Sequence, residues 1–537
     1  MAHISVINAA LMRTLAVAVT LVACAQTSVA NTTCEDLGKF PLAGGNITAA
    51  VRVAPNDTIP MKPLNTAMPA TVGFCRVAVT LTPTSDSTIL AELWLPDAEK
   101  WNGKFLGVGN GGFGGAVPVG DMRGAVAKGY ATAGDDLGHQ LTSLVVEGGW
   151  VIGHPEKLKD FAYRADHVTA EFAKTLIAAY YGHAQQQAYF RGCSNGGHEA
   201  LMEAQKYPAD YDGIVAGAPA NSFTHISTGF MWNEMALNET PQSQIPQSKL
   251  AAIQKAALAQ CDALDGVKDG IINDPASCHF DPSALLCKSA DGPECLTKPQ
   301  LTALRKIYSG PIDAKTGKKI YPGFPAGDEA LAHNWDLWII GPQSFQALFA
   351  NQVFGSFLLN DPHWDFRSFD LARDSMRADQ EIGPLLNSND PDLSAFAARG
   401  GKLILFQGWA DAAITPFGTI QYFRDIQRKM GNKQAQQFVR LFMAPGMMHC
   451  GGGPGPNSFD AVASVAQWRE MNRAPETIIA ARYAAPTTAG VSPGEPLSTR
   501  PLCAYPKVAH WSGKGSPDEA ENYFCRAGAS APHDVAK

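Results

Sequence analysis

Gly192-Cys193-Ser194-Asn195-Gly196 sets a serine between two glycines, each two residues away. A serine on a sharp strand-to-helix turn has its hydroxyl lifted above the sheet, where a base can reach its proton and an ester carbonyl can meet it. The glycines let the chain turn and let the helix pack close. The N-terminus of that helix favours the negative charge that develops there. The context fits. A short strand, Ala188-Tyr189-Phe190, precedes the turn, and a helix-like run from Gly197 to Lys206 follows. The competing reading, a plain structural turn, requires neither neighbour. The pattern therefore predicts an α/β-hydrolase nucleophile elbow with Ser194 as nucleophile.

The partners of such a serine follow it as acid and then histidine. Asp411 comes just after the apolar strand Lys402-Leu403-Ile404-Leu405-Phe406, and His449 just after Val439-Arg440-Leu441-Phe442-Met443. Active sites of open α/β sheets lie at these carboxyl ends. His510 and His533 follow no comparable strand. His449 would take the proton from Ser194 and pass it to the leaving alcohol, while Asp411 would orient the ring and stabilise its charged form. Two N–H donors must meet the oxyanion. The backbone of Asn195 supplies one. The glycine-rich run Gly109-Asn110-Gly111-Gly112-Phe113-Gly114-Gly115 supplies the other, with Gly109 or Asn110 the expected donor.

The chain has 11 cysteines. Setting Cys24 aside leaves Cys34, Cys75, Cys193, Cys261, Cys278, Cys287, Cys295, Cys450, Cys503 and Cys525, an even number that an oxidising compartment would pair. None forms a C-x-x-C pair, which disfavours zinc and thioredoxin-like chemistry. Connectivity does not follow from sequence alone. Chain neighbours are the natural partners for eight of them, because they bracket short loops. Cys193 and Cys450 remain, and they adjoin the nucleophile and the base. A triad brings those two residues together, so a Cys193–Cys450 disulfide is expected.

The elements that position these groups alternate. Strands are expected at 89–95, 104–108, 188–190, 212–216, 402–406 and 439–443, with helices at 160–181 and 197–206. That pattern predicts a parallel sheet covered by helices on both faces. From 222 to 396 the alternation fades into aromatics, prolines and cysteine-bracketed loops. This segment reads as an inserted lid, leaving 31–221 and 397–537 as the catalytic core. Arg13, the apolar Leu15–Ala23 and Ser28-Val29-Ala30 read as a signal peptide over residues 1–30, which predicts a secreted or periplasmic protein. Leu21-Val22-Ala23-Cys24 also fits a lipoprotein signal, with Cys24 lipidated. No later run is apolar enough to span a membrane. A net charge of −7, from 50 acidic against 43 basic residues, gives no basis for a nucleic-acid partner.

Gly-Cys-Ser-Asn-Gly-Gly at 192–197, Trp409-Ala410-Asp411, and Pro445-Gly446-Met447-Met448-His449-Cys450-Gly451-Gly452-Gly453 together resemble the tannase and feruloyl esterase family, which also includes hydrolases of mono(2-hydroxyethyl) terephthalate. The resemblance runs over nearly the whole chain beyond the signal peptide. It implies an α/β-hydrolase fold with a large inserted lid, a Ser-Asp-His triad, the disulfide argued above, and esters of hydroxycinnamate or gallate type as substrates. Cys261–Ile271 also resembles that family's calcium loop. Taken alone it reads first as an acidic solvated turn. The resemblance implies a structural Ca2+ held by the side chains of Asp262, Asp265 and Asp269 and the carbonyls of Val267 and Ile271, ligands suited to a hard cation. The lid carries Trp232, Trp335, Trp338, Phe345, Phe349, Phe354, Phe357 and Trp364. Some fill its core and others clamp an aromatic ring. Two departures bear on substrate choice. Asn334 to Asp361 holds no Arg or Lys to grip a free carboxylate, and Ile414 stands where the terephthalate monoester hydrolase has phenylalanine. Both favour a neutral phenolic acyl group over a terephthalate monoester. A non-catalytic exported binding protein on the same scaffold would lack a triad member, and all three are present.

Overall fold

The apolar runs become the middle of one sheet. The computed structural model describes residues 32–63, 65–142, 146–341, 343–485 and 494–528. The expected signal peptide and Cys24 lie outside them. Nine strands form the sheet: β1 (Gly45–Val53), β2 (Phe74–Leu81), β3 (Ile89–Pro96), β4 (Lys104–Val108), β5 (Ala131–Asp135), β6 (Gln187–Cys193), β7 (Gly213–Gly217), β8 (Lys402–Gly408) and β9 (Val439–Ala444). Their order across the sheet is β1-β2-β3-β5-β4-β6-β7-β8-β9. From β5 to β9 all pairs are parallel, as the strand–helix alternation predicts. The pairs β1–β2, β2–β3 and β3–β5 are antiparallel, so the sheet is mixed rather than wholly parallel. For β2–β3 the reason is local. Only a short turn links β2 to β3, and parallel neighbours need a longer crossover.

Alternation along the strands serves two cores. Phe190 on β6 and Leu405 on β8 join Leu176 and Leu201 on one face. Tyr189 and Ile404, the adjacent residues, join Met122, Val465 and Trp468 on the other. All five residues of β5 and of β7 are buried, as strands covered on both faces must be. The flanking helices include α1 (Val119–Ala127), α2 (Ala165–Tyr181) and α3 (Asn195–Lys206). The helix expected at 160–181 opens with a π-helical turn, Asp160–Arg164, before α2. It ends at Gly182 with φ 75°, a left-handed stop that glycine adopts freely.

β7 and β8 are hydrogen-bonded neighbours, with Leu403 opposite Ile214. The segment between them contains helices and no named strand among the described residues, starting with α4 (Phe223–Leu237) and including α5 (Phe345–Gln352) and α6 (Leu371–Glu381). It has its own core of Leu237, Ile253, Leu304, Ile307 and Trp335. His225 and Thr224 on α4 both bond Asp379 on α6, at 2.9 and 2.6 Å. After β9 the chain leaves the sheet. Strands Thr477–Arg482 with Ser498–Cys503, and Lys507–Trp511 with Tyr523–Ala527, make two separate two-stranded ladders. Disulfides join Cys34–Cys75, Cys193–Cys450, Cys261–Cys278, Cys287–Cys295 and Cys503–Cys525. Among the described residues, no helix is long and apolar enough to cross a membrane.

Candidate active site

β6 runs into α3 through Ser194, whose φ of 65° and ψ of −121° lie outside the regions most residues occupy. The surroundings hold it there. Ser194 N–H donates to Gly217 C=O at 3.0 Å, and Ser194 C=O accepts the N–H groups of Gly197, His198 and Ala220 at 3.0, 3.1 and 3.0 Å. A Cβ on Gly192 would lie 2.1 Å from Gly196 O, so the turn closes only around glycine.

Ser194 Oγ and His449 Nε2 are 2.8 Å apart, and His449 Nδ1 is 2.9 Å from Asp411 Oδ2. The acceptor-only carboxylate puts the ring proton on Nδ1, which leaves Nε2 to accept from the serine hydroxyl. Asp411 is 2% exposed. Its Oδ1 accepts from Ala413 N–H and Ile414 N–H, each at 2.8 Å, and its Oδ2 from Gln407 Nε2 at 2.8 Å. The carboxylate is thus fixed through both oxygens, independently of the ring. The Cys193–Cys450 bridge, with Cα atoms 6.0 Å apart, spans the same gap.

The expected oxyanion loop needs a correction. Gly109 N–H extends the sheet, donating to Arg191 C=O at 3.0 Å. Asn110 N–H donates to the Glu199 carboxyl at 3.0 and 3.2 Å. Neither is free to meet an oxyanion. Asn110 C=O accepts Gly196 N–H at 2.6 Å, from the α3 side. In a trans peptide the carbonyl and the following N–H point opposite ways. Gly111 N–H therefore turns away from α3 towards the cavity that Gly111 lines. Asn195 N–H opens α3, where no helical acceptor exists. Neither N–H has an acceptor among the described residues, so Asn195 and Gly111 form the candidate pair.

Ser194 and His449 open into a cavity of about 720 Å³, walled by Phe113, Phe223, Phe230, Trp338, Phe349 and Ile414. Trp338 meets the His449 ring edge-on, with centroids 5.2 Å apart, and Phe113 meets Phe349 edge-on at 4.9 Å. Of the lid aromatics singled out in the sequence, Trp338, Phe345 and Phe349 line this cavity. Trp335 and Phe354 are buried, Trp364 packs on Phe369, and the Trp232 indole N–H donates to Lys306 C=O at 2.8 Å. Phe113, Phe223 and Phe230 escaped the sequence reading. The signal for Phe113 was an aromatic within a glycine-rich run, with no strand or helix of its own to pack. Among the described residues Arg191 and Asp121 are the charged side chains bordering the cavity, and they pair with each other at 2.6 Å.

The acidic loop lies elsewhere, against the C-terminal ladders. Its residues fit a hard cation in part. Asp265 is buried, and its Oδ2 has no hydrogen-bond partner. Burial first, and then the nearby Asp269 and Asp262, raise its pKa. The carbonyls of Val267 and Ile271 accept no backbone hydrogen bond among the described residues. Against that, the three carboxylates do not all bring an oxygen within 4.8 Å of one another. Arg500 donates to Asp269 at 2.8 Å, and Gly270 N–H reaches both Asp262 oxygens at 3.2 Å. Among the described residues the group that does come that close, Cys287, Asp291 and Cys295, holds a disulfide rather than free thiolates.

Comparison with known proteins agrees with this architecture. The profile described as "Tannase and feruloyl esterase" matches residues 75–526. An uncharacterized esterase of Xanthomonas campestris pv. campestris is 38% identical, covering 96% of this chain and 94% of its own. A probable feruloyl esterase of Arthroderma benhamiae is 33% identical over 90% of each. The crystal structure of feruloyl esterase B from Aspergillus oryzae superposes with a TM-score of 0.82 at 28% identity, covering 92% of this chain and 99% of that one. With a serine elbow and a hydrogen-bonded Ser-His-Asp chain on a shared fold, the chain belongs to the tannase and feruloyl esterase family of carboxylic ester hydrolases.

Proposed function

We propose that this protein is an exported serine esterase that cleaves esters of neutral phenolic acids through an acyl-enzyme intermediate. The observation that carries the reading is the Ser194–His449–Asp411 hydrogen-bond chain opening into an aromatic-walled cavity. His449 Nε2 removes the Ser194 proton as Oγ attacks the ester carbonyl. The N–H groups of Asn195 and Gly111 receive the oxyanion. Asp411 holds the ring in register and stabilises the imidazolium, which then protonates the departing alcohol. Water enters by the same steps and releases the acid.

The acyl ring is read as resting between lid and core aromatics. A terephthalate monoester would bring a second carboxylate into the cavity. Among the described residues the one bordering cationic side chain outside the triad is Arg191, already engaged by Asp121, which favours an uncharged ring such as a hydroxycinnamate or gallate. The disulfides support export, since such bonds persist in oxidising compartments. The acidic loop is proposed to hold a structural Ca2+ through Asp262, Asp265, Asp269, Val267 and Ile271. When bound, that ion would neutralise carboxylates packed beside Arg500; it takes no part in the chemistry.

The test is hydrolysis of methyl ferulate, methyl gallate and mono(2-hydroxyethyl) terephthalate by wild type and Ser194→Ala. Turnover of the first two and none by the variant is expected. Preference for the terephthalate ester would overturn the substrate assignment, and turnover by Ser194→Ala would overturn the nucleophile.

A further inference from the structure

Beneath the elbow, α3 carries a carboxyl that touches neither the triad nor the cavity. Glu199 lies one helical turn after Asn195 and is 1% exposed. Its oxygens accept Asn110 N–H at 3.0 and 3.2 Å and Asn195 Nδ2 at 2.8 Å. Those two donors belong to the two segments that present the oxyanion N–H groups. Asn195 offers its own, and Asn110 immediately precedes Gly111. Gly196 N–H to Asn110 C=O completes the linkage at 2.6 Å, and Asn110 Nδ2 donates to Asp135 C=O at 2.8 Å. The loop lies directly on the carboxyl, for a Cβ at Gly109 would stand 2.6 Å from Glu199 Oε2.

We propose that Glu199 is a positioning residue that sets the oxyanion hole. By accepting Asn110 N–H, in the peptide before the one that carries Gly111 N–H, it anchors the loop on α3 so that Asn110 C=O meets Gly196 N–H and Gly111 N–H turns outward. By holding the Asn195 amide it fixes the first turn of the helix. This inference rests on the esterase reading of the site.

An apolar side chain would fill the position at lower desolvation cost, but it would leave Asn110 N–H and the Asn195 amide buried without an acceptor. The ionisable groups facing Glu199 are themselves acids, Asp135 at the end of β5 and Asp166 on α2, and Glu203 on α3 lies near both, all of them buried. Burial, followed by the charge of Asp135, raises the pKa of Glu199. A neutral carboxyl behind the donors still accepts both hydrogen bonds. An ionised one would oppose the negative charge that the hole must receive.

The experiment measures kcat and KM on p-nitrophenyl acetate, and inhibition by phenylboronic acid, which adds to the serine as a tetrahedral anion. The proteins are wild type, Glu199→Ala, Glu199→Leu and Glu199→Gln. In the alanine and leucine variants kcat should fall about 100-fold, the scale of losing one oxyanion donor, with KM little changed and the boronate weakened in parallel. The leucine variant fills the space and decides the matter if the alanine variant does not fold. Glutamine keeps an oxygen that can take both hydrogen bonds and should restore most of kcat. Unimpaired kcat in an active background, a loss residing wholly in KM, or a glutamine variant as poor as alanine would each overturn this inference alone. A wild type that turns over no aryl ester would overturn the esterase reading with it.

Discussion

Replacing Cys193 and Cys450 together by serine cuts the covalent link between nucleophile turn and base loop. That link joins residues 257 apart, and the chain-entropy relation assigns about 5.5 kcal/mol to a loop of that size. Spread over the unfolding entropy of a 537-residue chain, about 2.1 cal/mol/K per residue, this lowers Tm by roughly 5 °C. The catalytic loss has a separate origin. The base loop keeps its own backbone bonds: Ala410 N–H to Met447 C=O at 3.0 Å, Met448 N–H to Gly452 C=O at 3.3 Å, and Gly455 N–H to Gly446 C=O at 3.3 Å. It therefore stays folded, but His449 loses its covalent tie to Ser194. A displacement of about 1 Å costs on the order of a hundredfold in rate. The assay pairs thermal melting without reductant with kcat on methyl ferulate and with the affinity of the product acid, which should change far less than kcat. Removing Cys503–Cys525, which spans 22 residues and borders no part of the cavity, is the control: about 3 kcal/mol of stability is lost with kcat kept. A Cys193→Ser/Cys450→Ser variant with wild-type kcat would refute the idea that the bridge holds base to nucleophile.

Asp411→Asn keeps the fold but presents an amide to His449 Nδ1, so kcat on methyl ferulate should fall about 10⁴-fold, read in steady-state kinetics. Chelation with EGTA should lower Tm while leaving kcat unchanged well below the transition, and Asp265→Asn should blunt that effect; a Tm indifferent to chelator would refute the calcium assignment. Burial, and secondarily Glu329, raises Asp328 from 3.8 to about 8. The folded state then keeps a proton that the unfolded chain sheds, so this contribution is intact below about pH 4 and is lost as pH rises towards 8. Asp328→Asn should make the stability-versus-pH slope between pH 5 and 8 less negative by about 1.4 kcal/mol per pH unit, measured by urea unfolding.

The elbow was legible because its chemistry is local: strand, tight turn and helix lie within twenty residues of each other. Asp411 and His449 were legible as polar residues at the ends of apolar strands, and the cysteine pairing through parity and neighbour spacing. The oxyanion donor was not. Which N–H faces the cavity depends on how two successive peptides are rotated, and Glu199 and Gly196, far along the chain, bond one each. The antiparallel edge was also hidden. The run from 31 to 100 reads as β-rich, yet composition does not say which strand pairs with which. The C-terminal strands carried no reading in the sequence and sit in ladders of their own, with a bridge between Phe442 and Ala504 joining them to the sheet.

The lid leaves the sheet at β7 and returns at its immediate neighbour β8. Its two ends are therefore held one strand spacing apart whatever lies between them. Lengthening a loop with fixed ends is inexpensive, about 0.6 kcal/mol for each doubling. Selection can rebuild the lid by insertion, deletion or exchange without breaking the strand ladder. Ser194 precedes the departure point and Asp411 follows the return, so the reacting atoms sit on the invariant side of that junction. Descendants of such a chain can change their diet while inheriting their chemistry.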